Sequence, residues 1–417
     1  MYVSTQTAPG HTPRRAALVF IFITVLLDMV AVGMIVPVLP KLVKDFLGGD
    51  TVQAARIYGA FGTIWALMQF VFSPVLGTLS DRFGRRPIVL LSNFGLGLDY
   101  ILMAIAPNLS WLFVGRVISG ITAASVPAAT AYIADVTPQE KRAAGFGMLG
   151  AAFGVGFVVG PAVGGVLGQV NPRLPFWVAA GLSLLNALYG LLVLPESLAR
   201  EKRTPFCWKR ANPVGSLKLL RSHPELLGLA AANFLSYLAH DALPSTFVLY
   251  SSYRYGWNEQ TVGLTLAGVG VAYGIVQGGL VGPIVSRLRE RGALLAGLGF
   301  GIAGFAAFGL APTPALFWAG IPLLALWGLS GPAAQGLMTA RVSATEQGQL
   351  QGAIGSLRGI SGMIGPALFS LTFATSIGHQ NWHLPGAAFL LASLLLAAAW
   401  CVIWRITPAQ TGKAFNS

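Results

Sequence analysis

The stretch Gly77–Leu91, GTLSDRFGRRPIVLL, places four charges within six residues of a chain in which charged residues make up 10% of the total. Three arginines, one aspartate and the turn formers Gly77, Gly84 and Pro87 interrupt apolar sequence on both sides. The 417-residue chain around them is 54% hydrophobic and holds 52 glycines, giving more apolar surface than a water-facing globule can hide. Apolar windows of about 20 residues, long enough to cross the hydrocarbon layer as helices, recur along the whole length. They predict an all-α membrane protein with twelve transmembrane helices, over residues 16–40, 55–79, 88–106, 111–134, 142–170, 174–195, 224–251, 260–285, 292–311, 314–339, 350–375 and 384–404.

A formal charge of +13 invites a nucleic-acid reading, but the placement of the 27 Lys and Arg residues argues for membrane topology. With both termini cytoplasmic, twenty fall inside, among them the 82/85/86 cluster, seven from Arg200 to Arg221, Arg287, Arg289, Arg291 and Lys413. Five (Lys41, Lys44, Arg56, Arg173 and Arg254) fall outside, while Arg116 and Arg358 lie within spans or at their edges. The four-to-one bias satisfies the positive-inside rule. The expected setting is a multi-pass protein of a bacterial inner membrane, since no organelle address is visible and the first apolar run, centred on Asp28, reads as a retained helix. Cys207 and Cys401 are far apart and lack metal-ligand spacing, so free thiols and no metal site are expected.

The one long polar segment divides the chain. The expected layout is a cytoplasmic segment 1–15, a six-helix bundle 16–195, a linker 196–223, a second six-helix bundle 224–404 and a tail 405–417. In the linker, Val214, Leu217, Leu219 and Leu220 alternate with Lys218 and Arg221, which suits either a short interfacial helix on the cytoplasmic leaflet or a solvated connection. The opening stretch has a faint copy in the second half, GPIVSRLRERGALLAG from Gly282, in which Gly77 pairs with Gly282, Arg82 with Arg287, and Arg85/Arg86 with Arg289/Arg291. Such repeats mark transporters whose two pseudo-symmetric bundles rock about a site between them. In the loop itself glycine serves the turn and the cations favour the inner face. Asp81 is left over: it forms a latch between bundles through an arginine or a helix end, or it sits in an ordinary solvated loop. Gly77, Asp81, Arg82, Gly84, Arg85 and Arg86 are the candidate gating residues.

Three of the fourteen acidic residues, Asp28, Asp99 and Asp241, lie well inside spans. A carboxylate there costs roughly 2.5 to 3.5 kcal/mol on insertion scales, so each requires a reason, and proton carriage is one. A buried structural hydrogen bond is the alternative for Asp28, packing for Asp99, and solvation near the outer surface for Asp241. Arg116 cannot shed its proton and acts as a fixed charge, to be paired with a carboxylate or a backbone carbonyl. The stretch NFLSYLAHDALPS places Asn233, Tyr237, His240 and Asp241 along one broad helical face. With Tyr100, Tyr273, Gln277 and Gln335 they form the candidate substrate cavity, although aromatics at such depths also pack or anchor.

The loop GTLSDRFGRRP resembles the signature loop of the Major Facilitator Superfamily, and further signatures follow in register. GRVISGITAASVPAATAYIAD, Gly115 to Asp135, resembles the fourth-helix motif, and GFVVGPAVGG, Gly156 to Gly165, the fifth-helix motif of drug antiporters. LLDMVAVGMIVPVLP (Leu26 to Pro40), LDY (Leu98 to Tyr100) and QGQLQGAIGSLRGISGMIGPALF (Gln347 to Phe369) are similar to the tetracycline/proton antiporter branch. The resemblance implies a proton-driven drug exporter with no cofactor, its substrate a small molecule, free or as a metal chelate, in a protein expected to be monomeric. It also implies that Asp28 faces the central cavity, that Arg116 takes part in coupling, and that Gly156, Gly160, Pro161, Gly164 and Gly165 seal the path between bundles.

The pattern breaks in the second half. Tyr273 stands where that branch carries an eighth-span histidine, Gly301 where it carries a ninth-span aspartate, and Asp241 where glutamine is common. A protonation site relocated to the seventh span is the expectation this raises. Transport of a metabolite on the same fold is the competing function. A membrane enzyme is disfavoured, because the chain shows no HExxH, GxSxG or P-loop motif and no paired carboxylates at catalytic spacing.

Overall fold

The computed structural model describes residues 12–406 except 124, 139–140, 209–211, 344 and 380–382. Residues 1–11, Lys209 and Arg210 of the linker, and the tail from 407 with Lys413 lie outside the described residues. Among the described residues eleven helical runs are long and apolar enough to cross a membrane. They are α1 (Leu18–Phe46), α2 (Thr51–Phe83), α3 (Arg85–Ile105), α4 (Leu109–Val136), α5 (Arg142–Val170), α6 (Leu174–Val193), α7 (Pro224–Tyr255), the run Glu259–Leu310, and then Pro314–Thr339, Gln347–Gly378 and Ala387–Ile406. The 52-residue run doubles back at Arg289, which has φ 57° and ψ 170°. Its arms, 259–288 and 290–310, are here α8 and α9, and the last three helices are α10, α11 and α12. Treated separately, the arms give twelve segments at the places read from hydropathy.

Helix is the answer to a solvent that offers the backbone no hydrogen bonds. Where a helix begins on the side opposite the arginine clusters, a polar side chain supplies the missing acceptor. Asp50 accepts from the N–H groups of Val52 and Gln53 at 2.9 and 3.0 Å, Asn108 from Trp111 at 3.3 Å, and Asn258 from Thr261 at 2.9 Å. These residues open α2, α4 and α8. The linker forms a short helical segment, Gly215–Leu217 and Lys218–Ser222, with Leu219 and Leu220 buried. It packs against α7 and α11, where Ser356 donates to the Pro213 carbonyl. Neither a leaflet-bound helix nor a solvated connection describes it, because the bundle offers those leucines a drier face than lipid headgroups do.

The internal repeat is visible in the backbone. Gly84, between α2 and α3, has φ 109° and ψ 161°, and Arg289 adopts the same glycine-favoured region between α8 and α9. The two positions differ by 205 residues, the spacing that relates Gly77 to Gly282. The pairing of Arg85/Arg86 with Arg289/Arg291 is thereby corrected. Arg289 takes the place of the turn residue Gly84, Glu290 that of Arg85, and Arg291 that of Arg86.

Two seams join the bundles. Along α2 and α11, Gly59 faces Ser370, Gly62 faces Pro366, the Thr63 hydroxyl donates to the Met363 carbonyl at 3.1 Å, and Gly359 meets Phe70. Along α5 and α8, Gly165 and Pro161 meet Gly263 and Glu259, and Gly270 meets Val158. Lys41, at the outer end of α1, forms an ion pair with Glu259 on the same seam. These contacts run from the outer ends of the helices to near their middle. Toward the cytoplasmic ends, a side chain added at Gly147, Gly150 or Gly154 of α5, or at Gly274, Gly278 or Gly279 of α8, would meet nothing within 4 Å. The bundles are thus in contact at one end and splayed at the end that carries the arginine clusters, which leaves a gap between them there.

Arg289 is the one non-glycine residue at positive φ among the described residues, in a region that costs a side chain on the order of 1–3 kcal/mol. Arg289→Gly is therefore expected to stabilise the protein by about 1 kcal/mol, the relieved strain exceeding the entropy glycine adds to the unfolded chain. Gly84→Ala is expected to destabilise it, since a Cβ there would strike the Glu196 carboxylate. Thermal melts of the two detergent-solubilised variants check both signs.

Candidate functional site

The first bundle buries two charge clusters. Asp28 on α1 is 1% exposed and sits between α3 and α6. Asn186 of α6 donates to Asp28 Oδ1 at 2.9 Å and to the Thr24 carbonyl at 2.9 Å. With its amide nitrogen turned toward Asp28, Asn93 of α3 donates to both carboxylate oxygens at 3.2 and 3.0 Å and accepts from Asn186 at 3.0 Å. The expectation that Asp28 faces the central cavity is corrected: the carboxylate points into its own bundle, where two amides supply the hydrogen bonds that hydrocarbon cannot. Sequence reasoning missed Asn93 and Asn186 because it weighed uncharged amides only in the second half, where they share a face with Asp241 or follow Tyr273, and only ionisable residues in the first. A count of uncharged amides in the same windows would have found both.

Asp99 on α3 is fully buried and faces Arg116 on α4, with 3.7 Å between carboxylate oxygen and guanidinium nitrogen. Arg116 also donates to Met103 Sδ at 3.2 Å, and Gly115 leaves the space in which Asp99 and Met103 lie. The structure thus brings together a proton-accepting group and a fixed cation. Tyr100, one residue on, projects into the hydrophobic core and is 2% exposed. It is corrected from a cavity residue to a packing residue, since successive side chains on a helix diverge by about 100°.

The gating loop is tied to its own bundle. Asp81 pairs with Arg85 at 2.5 Å, Arg85 Nε donates to Asp135 at 3.1 Å, and Ser197 donates to the same Asp135 oxygen at 3.2 Å. Glu196, just past α6, accepts from the Arg85 and Leu198 N–H groups at 2.9 and 3.0 Å, and Arg203 lies 3.9 Å from it. Arg86 donates to the Leu191 carbonyl, while Arg82 lies over the Phe83 ring. The Thr204 N–H donates to the Asp81 carbonyl at 3.1 Å. The latch between bundles is not formed: Asp81 reaches α3, α4 and the linker through these partners, not the second bundle. Gly77 has open space around its Cα.

The α5 glycines show two faces. Gly156, Gly160 and Gly164 lie against Met29, Gly33 and Met34 of α1, whereas Pro161 and Gly165 lie against α8 of the other bundle. Gly156, Gly160 and Gly164 therefore pack α5 within its own bundle, and of the five motif residues only Pro161 and Gly165 lie on the seam between bundles.

In the second bundle the irregular backbone converges. α7 breaks at Asp241, α8 carries a π-turn at Val276–Leu280, and α10 narrows to a 3-10 turn at Trp327–Leu329. Such breaks inside membranes are tolerated where they line a cavity or are buried in protein. Gln277 donates to the Tyr273 hydroxyl at 2.9 Å and to the Gly328 carbonyl at 3.0 Å, and the His240 ring lies 5.9 Å from Trp327. The Asp241 carboxylate rests against Gly365 of α11, and Gln335 reaches Gln351 at 3.5 Å. Tyr237 is half-buried beside Asn233. Asn233 is corrected: it lines a small cleft within the bundle, with Leu294, Ser330 and Ile403, because its turn of α7 faces α9 and α12. Gly301 is buried under Leu396 and Trp327, which occupy the space a ninth-span carboxylate would need. Among the described residues no group of three His, Cys, Asp or Glu side chains is arranged to hold a metal ion.

Comparison with known proteins gives these sites a context. The profile of the Major Facilitator Superfamily matches residues 21–366. The tetracycline resistance protein, class C, of Escherichia coli is 38% identical over 92% of this chain and 97% of its own length. The class B protein of the same organism is 36% identical over 93% and 96%. The hippocampus abundant transcript 1 protein of Homo sapiens is 30% identical over 95% of this chain and 85% of its own. Among solved structures, the human organic anion transporter MFSD10 (TETRAN) has a TM-score of 0.69 at 22% identity, covering 94% of this chain and 100% of that one. The nucleoside transporter NupG has a TM-score of 0.77 at 13% identity, covering 94% and 98%. Both share the fold.

Removing an amide from Asp28 leaves a buried charge short of a hydrogen bond, a loss of about 1.5–3 kcal/mol. Asn186→Leu is expected to lower the unfolding midpoint accordingly. Asp28→Asn combined with Asn186→Leu is expected to recover part of the loss, which chemical denaturation of the single and double variants measures.

Proposed function

The chain belongs to the Major Facilitator Superfamily, and from that premise we propose that it exports an amphiphilic drug of the tetracycline type in exchange for protons. It is a multi-pass membrane transporter of small molecules, similar to tetracycline resistance proteins, and not an enzyme. The observation that supports the export reading is the gap between bundles, closed at one end by the α2/α11 and α5/α8 seams and open at the end carrying the arginine clusters, which the positive-inside bias assigns to the cytoplasm. A drug that has entered the cell meets the cavity in this state. Export requires the outer seams to part while the open glycine faces of α5 and α8 come together.

Proton coupling is assigned to Asp99 and Arg116. When Asp99 is charged it holds Arg116, and when it takes a proton the guanidinium is released to another acceptor, so α3 and α4 shift with protonation state. Asp28, with its amides on α3 and α6, holds the neighbouring helices in register. The second bundle contributes the cavity wall around Asp241, His240, Tyr273 and Gln277. One proton crossing 100 mV releases about 2.3 kcal/mol, enough for a drug gradient of roughly fiftyfold. The proton gradient is the proposed energy source without a cofactor, the drug travels free or as a metal chelate, and a monomer in the bacterial inner membrane is the proposed unit.

Everted membrane vesicles acidified inside test this reading with a fluorescent pH probe. Adding tetracycline with magnesium is expected to dissipate the gradient in vesicles bearing the native chain and to leave it intact with Asp99→Asn. A gradient unaffected by tetracycline in native vesicles would refute the substrate, and one dissipated equally by Asp99→Asn would refute the proton carrier.

A further inference from the structure

Each bundle holds an arginine within its membrane helices, and the two are treated differently. Arg116 of the first bundle has Asp99 at 3.7 Å and is largely buried. Arg358 of α11 is exposed, and among the described residues its guanidinium enters no ion pair and no hydrogen bond. It sits twelfth in a 32-residue helix, too deep for a topology signal and costly in hydrocarbon. The cavity supplies its solvent. Arg358, Ser361 and Gly365 follow one another by three- and four-residue steps along one face of α11, and Gly365 of that face abuts Asp241 of α7. That contact turns the face of α11 that carries Arg358 toward α7. The adjacent face, through Gly359, Gly362 and Pro366, is taken up by α2.

Asp241 is the counter-charge at hand, yet it is held away. Its carboxylate fills the hollow left by the missing side chain of Gly365, seven residues or about two turns farther along α11 than Arg358. An exposed fixed cation without an ion pair among the described residues, with the carboxylate of the neighbouring helix docked on Gly365, is an unfilled anion receptor. The same bundle carries Trp327 with the His240 ring 5.9 Å from it, and neutral hydrogen-bonding groups on Gln277, Tyr273, Gln335 and Gln351. We infer that Arg358 receives an ionised acidic group of the substrate, so that the second bundle selects flat amphiphiles bearing a carboxylate or enolate. Two parallel N–H donors match two oxygens of such a group, and the water-poor wall strengthens the bond.

This inference rests on the reading of the cavity as the drug site and names the chemistry of one of its ends. The test uses the purified full chain in detergent with 1-pyrenebutyrate and its uncharged amide, read by energy transfer from tryptophan to pyrene. It contains neither tetracycline nor a proton gradient, so its outcome is separate from that of the vesicle assay. The native chain is expected to bind the carboxylate about tenfold more tightly than the amide. Arg358→Gln is expected to abolish the difference while keeping the amide's affinity, and Arg358→Lys, which keeps the charge, to retain part of the preference. Amide binding by Arg358→Gln also reports that the variant is folded. Equal binding of the two probes by the native chain, binding of neither, or a parallel loss of both in Arg358→Gln would overturn the inference.

Discussion

A charge placed among lipid-facing helices must find its counter-charge, its hydrogen bonds or its water within the protein, and the two bundles meet that demand by different means. The first uses partners. Asp28 takes amides from α3 and α6, and Asp99 takes Arg116. The second uses the cavity, leaving Arg358 exposed there and docking Asp241 on a glycine of the neighbouring helix. In the proposed cycle, one bundle stores a proton in a closed pair while the other presents open groups to cargo.

The same division appears in the packing. In lipid there is little hydrophobic drive between helices, so close approach depends on small residues. The α5 glycines bring the helix against α1 on one face and α8 on the other, and Gly59 and Gly62 bring α2 against α11. Because glycine contacts are shallow and carry few interlocking side chains, seams of this kind can part without dismantling a core. The aromatic cluster of the second bundle, with Phe308 stacked on Phe317 at 4.0 Å, is built in the opposite way, from large interlocking rings.

Much of this was legible in the sequence, for physical reasons. The apolar windows and the close-packing α5 motif follow from the thickness and polarity of the membrane. The arginine-rich turn after α2 and its copy were legible too, but the offset between Gly84 and Arg289 was hidden because arginine is not a residue expected at positive φ. Which way each buried carboxylate points was not legible. A helical period tolerates rotations that exchange the cavity face for the bundle interior, so Asp28 and Tyr100 were assigned to the wrong side. The partners of Asp81 were likewise hidden, since Asp135, Glu196 and Arg203 come from three separate segments.

The central claim is that transport alternates between the outer-closed form described here and a form closed at the cytoplasmic ends. Spin-label distances test it most directly, with Cys207 and Cys401 replaced by serine and labels placed in pairs at Gly150 and Gly278, and at Gln53 and His379. In lipid vesicles without drug, the inner pair should be far apart and the outer pair close. Acidifying the outer face should lengthen the outer distance and shorten the inner one together. Two distances that stay fixed, or that lengthen and shorten in the same direction, would contradict alternating access built on these seams.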